Sequence, residues 1–256
     1  MYLQIPLSKI ILFAAGFSIV FYTVRVSSII PNNLVVDDFR SVIPLFSSIT
    51  VIFSIISGFV IQAQWHKWDT LIDAVRGEVN MLRHIYVMAQ NFPAGPRKKL
   101  RNSIEEYLEV LIASSDISSH HRGVRSKNVD KAMYEIDKNV FYVLDKYTQT
   151  GMGIFMLFNR AMEFRETRIQ NGSNRLPIML KLLIILMTIT LIGASFFIFF
   201  NNVWFEYVFR LILALLAYTI YLIIDDLDDP FCPGNWQLKF KGYKELLQEM
   251  QEEKKH

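Results

Sequence analysis

The chain has 256 residues, 52% of them hydrophobic, 14% aromatic and only 20% charged, a balance too apolar for an ordinary soluble domain and suited to a membrane protein. A net charge of +3 leaves no broad basic surface for nucleic acid, and a single cysteine, Cys232, excludes an intrachain disulfide. A glycine-rich phosphate loop, an HExxH, a paired CxxC and a GxSxG elbow are all missing, so the expectation is of a non-enzyme with no cofactor.

The first apolar segment, Ile10 to Ile30, is long enough to span a bilayer and is interrupted only by Arg25 near its far end. No small-residue cleavage site follows, so it reads as an anchor helix rather than a signal peptide. The second, Ser41 to Gln64, carries no charge. Along it Ser47, Thr50, Ser54, Gly58 and Gln62 recur at spacings of three and four, a stripe of small or polar side chains on one helical side. Such a stripe serves close helix packing, the commoner cause on composition alone, or lines a watery path through an oligomer.

The connection from Trp65 to Leu176 reads as helical throughout, with no strand alternation. Trp65, Trp68, Ile72, Val75, Val79, Leu82, Tyr86 and Ala89 form a heptad-like seam. Only Gly77 softens the pattern, so one rod is expected from the second span to "NFPAGP" at 91 to 96. Leu71, Glu78 and Ile85 make a row beside the seam that Glu78 interrupts. A buried carboxylate there needs a cation, and Arg165 and Arg168 are the candidates; the plainer alternative is that Glu78 reaches water. Further amphipathic stretches follow: "LRNSIEEYLEVLI", then "VDKAMYEIDKNVFYVLDKY" with Met133, Ile136, Val140, Val143 and Leu144 on one face, then "MLFNRAMEFRETRI". A polar, turn-rich segment at 114 to 128 lies between the first two of these. Its His120 and His121, like His66 and His84, read as solvated surface residues rather than metal ligands. Gly172 and Pro177 suit a helix stop and restart.

The third span runs from Leu182 to Phe200 and the fourth from about Trp204 to Ile224, joined tightly through Asn201 and Asn202. Glu206 and Arg210, four apart, are expected to neutralise each other or reach the headgroups. "LIIDDLDDPF" then places Asp225, Asp226, Asp228 and Asp229 where the helix dipole disfavours negative charge. They are a cation site, a solvated cluster, or a dock for Arg165, Arg168 or Arg175. The spacing fails the EF-hand pattern, and docking is the favoured reading, with Arg168 and Asp229 as a test pair. Pro230 ends the helix, Phe231 suits an interfacial anchor, and "YKELLQEMQEEKK" forms a short charged tail helix.

Lys67, Arg76 and Arg83 follow the second span, and Arg160, Arg165, Arg168 and Arg175 precede the third, whereas the opposite loops offer little beyond Arg40. Positive residues mark the cytoplasmic side, so the long connection and both termini are expected there; Lys9, Lys239, Lys241 and Lys244 agree. The organisation is then an all-α membrane protein: spans 1 and 2 over 1–64, a cytoplasmic helical bundle over 65–176, spans 3 and 4 over 177–231, and a tail over 232–256.

"FVIQAQWHKWDTLIDAVRGEVNMLRHIYVMAQNFP", "FRETRIQNGSNRLPIMLKLLIILMTITL" and "LIIDDLDDPF" together resemble the bestrophin-like family of bacterial membrane proteins. The matching positions are Trp65 and Trp68, Glu78, Arg165 and Arg168, Leu176 and Pro177, and Leu227, Asp228, Pro230 and Phe231. The resemblance implies two helices, a cytoplasmic helical domain and two more helices, and a relation to bestrophins proper, oligomeric anion channels whose second helix lines the pore. The chain lacks their run of acids after Pro-Phe and their aromatic constriction in that helix. The expected function is an oligomeric channel of the bacterial inner membrane for small inorganic ions, with Ser47, Thr50, Ser54, Gly58 and Gln62 toward the axis. The expected partners are the lipid bilayer and further copies of the chain. The alternative is a non-conducting scaffold or sensor whose cytoplasmic bundle binds a partner.

Overall fold

The computed structural model describes residues 7–26, 39–117, 126–198, 202–231 and 236–254, with the backbone alone at 39–42 and 115–117. His120, His121, Asn201 and Cys232 lie outside the described residues, as does the side chain of Arg40. The described residues form eight helices and no strand: α1 Leu7–Val26, α2 Phe39–Ala89, α3 Ala94–Ile117, α4 Lys127–Lys146, α5 Thr148–Ser173, α6 Ile178–Ser195, α7 Val203–Asp228 and α8 Lys241–Glu252. Four stretches are long and apolar enough to cross a membrane: α1, α2 from Ile43 onward, α6 and α7.

The chain divides into two compact units. The first draws on Met1–Trp65, Arg175–Asp229 and Gly234–Trp236. Within it α7 packs against both α1 and α6. Ala214 and Ala217, three apart and buried, explain the closeness: Ala214 meets Phe17 and Phe21 of α1, and Ala217 meets Phe53 of α2 and Leu191 of α6. Val60, Leu176, Ile184 and Ile224 close a third cluster. The large apolar side chains left on the outside, Leu12, Phe59, Leu182 and Trp204 among them, suit a lipid-facing surface. α6 starts four residues earlier than expected because Pro177 sets its entry and Lys181 is ion-paired, so that charge does not end the helix. α7 runs one turn past the expected Ile224, taking Asp225, Asp226 and Asp228 into its last turn.

The second unit draws on His66–Asn174, Pro230–Pro233 and Gln237–His256. One core joins α2, α3, α4, α5 and α8. On α2 the most deeply packed row is the one beside the seam, Leu71, Glu78 and Ile85, each with no exposed surface. Val75, Val79, Leu82 and Ala89 of the seam are buried with it, while Ile72 only rims the core. α4 buries Met133, Ile136, Val140 and Val143, the face its spacing marks, and leaves Leu144 half-buried.

Among the described residues, four glycines stand at close approaches, Gly153 against the flexible end of Met88 and three others. A Cβ on Gly151 would lie 2.7 Å from the Leu144 backbone where α4 turns into α5, one on Gly77 would lie 2.6 Å from the Phe164 ring, and one on Gly172 would lie 2.9 Å from the Phe231 ring. Gly172 is therefore a packing position inside α5 rather than the helix stop, which falls at Asn174, and Phe231 packs on it. α8 is no loose tail: Tyr243, Leu246 and Met250 are fully buried, and Arg83 holds Glu249 through two hydrogen bonds of 3.0 and 2.9 Å.

Candidate functional site

The polar stripe occupies the side of α2 turned away from its packed face. Ser47, Ser54, Gly58 and Gln62 are exposed and Thr50 is half-buried, whereas Phe53, Ser57, Val60 and Gln64 face inward. Thr50 and Ser54 donate their hydroxyls to the carbonyls of Phe46 and Thr50, each at 2.8 Å, which lowers the cost of a hydroxyl in an apolar setting. Gln62 has no such local partner among the described residues. A Cβ on Gly58 would meet nothing within 4 Å, so this glycine serves no close approach within its own chain. The inward side carries a polar element that the sequence reading passed over: Ser57 Oγ and Gln64 Oε1 are buried with no hydrogen-bond partner among the described residues, as is Thr188 Oγ1 on α6.

At the end of α7 Asp225, Asp228 and Asp229 have cationic partners within the first unit. Lys181 Nζ lies 2.6 Å from Asp225 and 3.8 Å from Asp228, and Arg175 lies 3.0 Å from Asp229. Asp228 Oδ1 accepts the Leu176 N–H at 2.5 Å, and the Asp228 carbonyl accepts from Arg175 at 2.5 Å. Leu176 leads into α6, so the negative end of α7 is set beside the positive end of its neighbour, and the clustered acids stabilise both termini. Asp226 sits half-buried in the same turn. Of the three arginines offered for docking, Arg175 takes this role. Arg165 and Arg168 belong to the second unit and pair there with Asp130 and Glu78.

Glu78 is the centre of that second set. Its carboxylate has no exposed surface and accepts from Arg168 Nε at 2.8 Å, from the Tyr243 hydroxyl at 2.9 Å and from the Tyr107 hydroxyl. The Arg168 side chain also reaches Tyr107 at 3.4 Å. Helices α2, α3, α5 and α8 thus each contribute one group to a buried, hydrogen-bonded charge pair. Burial opposes the Arg168 charge, but Glu78 and then the two tyrosines outweigh it and hold the guanidinium well above its usual pKa. Burial, reinforced by the Glu78 charge, pushes the Tyr107 and Tyr243 hydroxyls up. One turn before Arg168, Arg165 is ion-paired with Asp130 of α4 and lies 3.6 Å from Glu166. Tyr107, Tyr243 and Asp130 went unnoticed in the sequence; the tyrosines looked like ordinary core, and the only available signal was that a buried carboxylate needs several donors.

The opposite end of the first unit holds a second buried charge set. Glu206, with no exposed surface, is ion-paired with Arg210 and lies 3.7 Å from Arg25 of α1. Arg210, itself buried, donates to the carbonyls of Ser195 at 3.1 Å and Ile198 at 2.7 Å, capping the end of α6, with its guanidinium 4.8 Å from the Phe196 ring centre. The pair is interior and does not reach for the headgroups.

The Bestrophin-like domain family matches residues 10–232. Among solved structures, a single-substitution variant of a bacterial bestrophin homolog from Klebsiella pneumoniae superposes with a TM-score of 0.75 at 11% identity, over 100% of both chains. Another structure of a homolog from that organism gives 0.71 at 10% identity, over 96% of this chain and 97% of that one. At such identities the likeness is one of fold. Among curated proteins, none matches the chain in sequence.

Proposed function

The chain belongs to the bestrophin-like family, and we propose that it assembles as a homo-oligomeric channel that conducts small ions passively, with α2 lining the axis. The observation that carries this reading is the outward stripe of Ser47, Thr50, Ser54, Gly58 and Gln62 on a span that carries no charge. A glutamine amide without a local partner is costly against acyl chains and is satisfied by water or by another copy. Gly58, with open space before it, gives the same indication. The long connection and both termini then face the cytoplasm of the bacterial inner membrane, as the positive residues flanking the spans indicate. The structural relatives are bacterial bestrophin homologs, which agrees with a channel-like membrane protein.

Two measurements test this reading. Purified protein in liposomes should pass ions above the level of empty vesicles across a range of salts. In a background with Cys232 replaced, Ser54→Cys and Gly58→Cys should react with a charged thiol reagent, and Ile52→Cys and Phe59→Cys should not. Absence of flux, or equal labelling at all four positions, would leave a non-conducting scaffold whose helical bundle recruits a partner.

A further inference from the structure

Where the end of α2, the start of α3 and the end of α8 come together, the second unit encloses a cavity of about 510 Å³, open on one side. Its walls include Tyr86, Arg97, Lys98, Arg101, Glu253 and Lys254, four cations against one carboxylate. Two of the cations are already engaged. Arg101 lies 3.2 Å from Glu105, also donates to the Met250 carbonyl, and has its guanidinium 5.8 Å from the Tyr86 ring centre; Lys254 lies 3.1 Å from Glu105. Arg97 and Lys98 are exposed and have no ion pair among the described residues. The Glu253 carboxylate accepts from the Gln90 amide at 3.1 Å.

This arrangement is electrostatically unfavourable as it stands. Arg97 and Lys98 occupy the beginning of α3, which has no acidic residue in its first turn, so two cations face the positive end of a helix dipole. We infer that the cavity binds a small, water-soluble anion carrying a diphosphate or longer phosphate chain. A multiply charged phosphate offsets the mutual repulsion of Arg97, Lys98 and the dipole, and the planar guanidinium of Arg97 matches two phosphate oxygens at once. The space exceeds that of a single phosphate and suits a chain of them. A lipid phosphate is the less fitting source, because Tyr86 lies 21 residues beyond Trp65 on one helix, about 32 Å along its axis from the last apolar turn of the span. The inference does not depend on whether the protein conducts ions.

The test uses the full chain in nanodiscs of neutral lipid, with sodium pyrophosphate as the probe and sodium chloride at matched ionic strength as the control. Pyrophosphate should raise the melting temperature with saturation, and sodium chloride should not. Arg97→Gln with Lys98→Gln should weaken half-saturation about tenfold or more, and each single variant should fall between. Both side chains are exposed and face the helix dipole, so the melting temperature of the double variant without pyrophosphate should equal or slightly exceed the wild-type value. Isothermal titration of the unmodified protein gives a second reading independent of any variant. An equal shift with sodium chloride, or an unchanged response in the double variant, overturns the inference. So does a shift produced by anionic lipid alone that the double variant abolishes, since the site would then belong to a headgroup.

Discussion

Glu78 shows what one residue can fix in this protein. A carboxylate on an apolar row is tolerable only with full compensation, and here two hydroxyls and a guanidinium supply it. Arg168→Ala leaves that carboxylate buried and unpaired, at a cost of about 3–5 kcal/mol, and should lower the melting temperature sharply. Replacing the pair together by apolar groups, Glu78→Leu with Arg168→Met, should recover much of the loss. Charge exchange between Arg168 and Asp229 should recover none, because Asp229 answers to Arg175. The tyrosines add a pH dependence. Their hydroxyls have folded-state pKa values above the unfolded value of about 10. Their contribution is whole below that pH and is lost as pH rises toward the folded values, since the unfolded chain releases its protons first. Melting temperature followed from pH 9 upward should fall beyond about pH 10, and Tyr107→Phe should make the fall shallower by up to about 1.4 kcal/mol per pH unit. That Glu78 breaks an apolar row is visible in the sequence. Its surroundings are not, because donors from α3 and α8 are brought in by tertiary packing and look like common core tyrosines beforehand.

At the scale of elements, four apolar lengths and an unbroken seam made the helical order readable, since span length and heptad spacing are local properties of the chain. Ends were read less well. The acids after Ile224 suggested a boundary, yet α7 continues through them because Arg175, Lys181 and the Leu176 N–H at the start of α6 pair with them. Asp228→Ala removes the acceptor of the Leu176 N–H and should cost about 1–3 kcal/mol, measurable as a lower melting temperature in detergent. The helix turn at Gly151 gives a second test. A methyl group there meets backbone rather than a pliable side chain, so Gly151→Ala should destabilise by about 1–3 kcal/mol, despite the higher helix propensity of alanine. Gly77→Ala meets a phenyl ring that can shift and should cost less. Glycines read from sequence as weak points or stops are contact points here, and only the neighbouring helix reveals that.

For the whole molecule, an all-helical membrane protein with four candidate spans followed from composition and apolar length. Assembly did not, since small and polar residues at helical spacing suit a wet lumen as well as the commoner tight seam. The single chain leaves Ser54, Gly58 and Gln62 uncovered, so the stripe does not serve packing within one copy. In the channel reading, Gln62→Leu should change the flux from liposomes severalfold while leaving stability within about 0.5 kcal/mol of the parent, because the side chain is exposed. Mass measurement in nanodiscs should give more than one copy per particle.

The Tyr243 hydroxyl reaches a carboxylate 165 positions earlier in the chain. During translation at about 5–20 residues per second, Glu78 therefore waits roughly 8 to 33 s for its last donor. Both α6 and α7 are made in that interval. Nascent protein on the ribosome must shield an acid that the finished fold will seal, and a pause just before α8 would expose it longest.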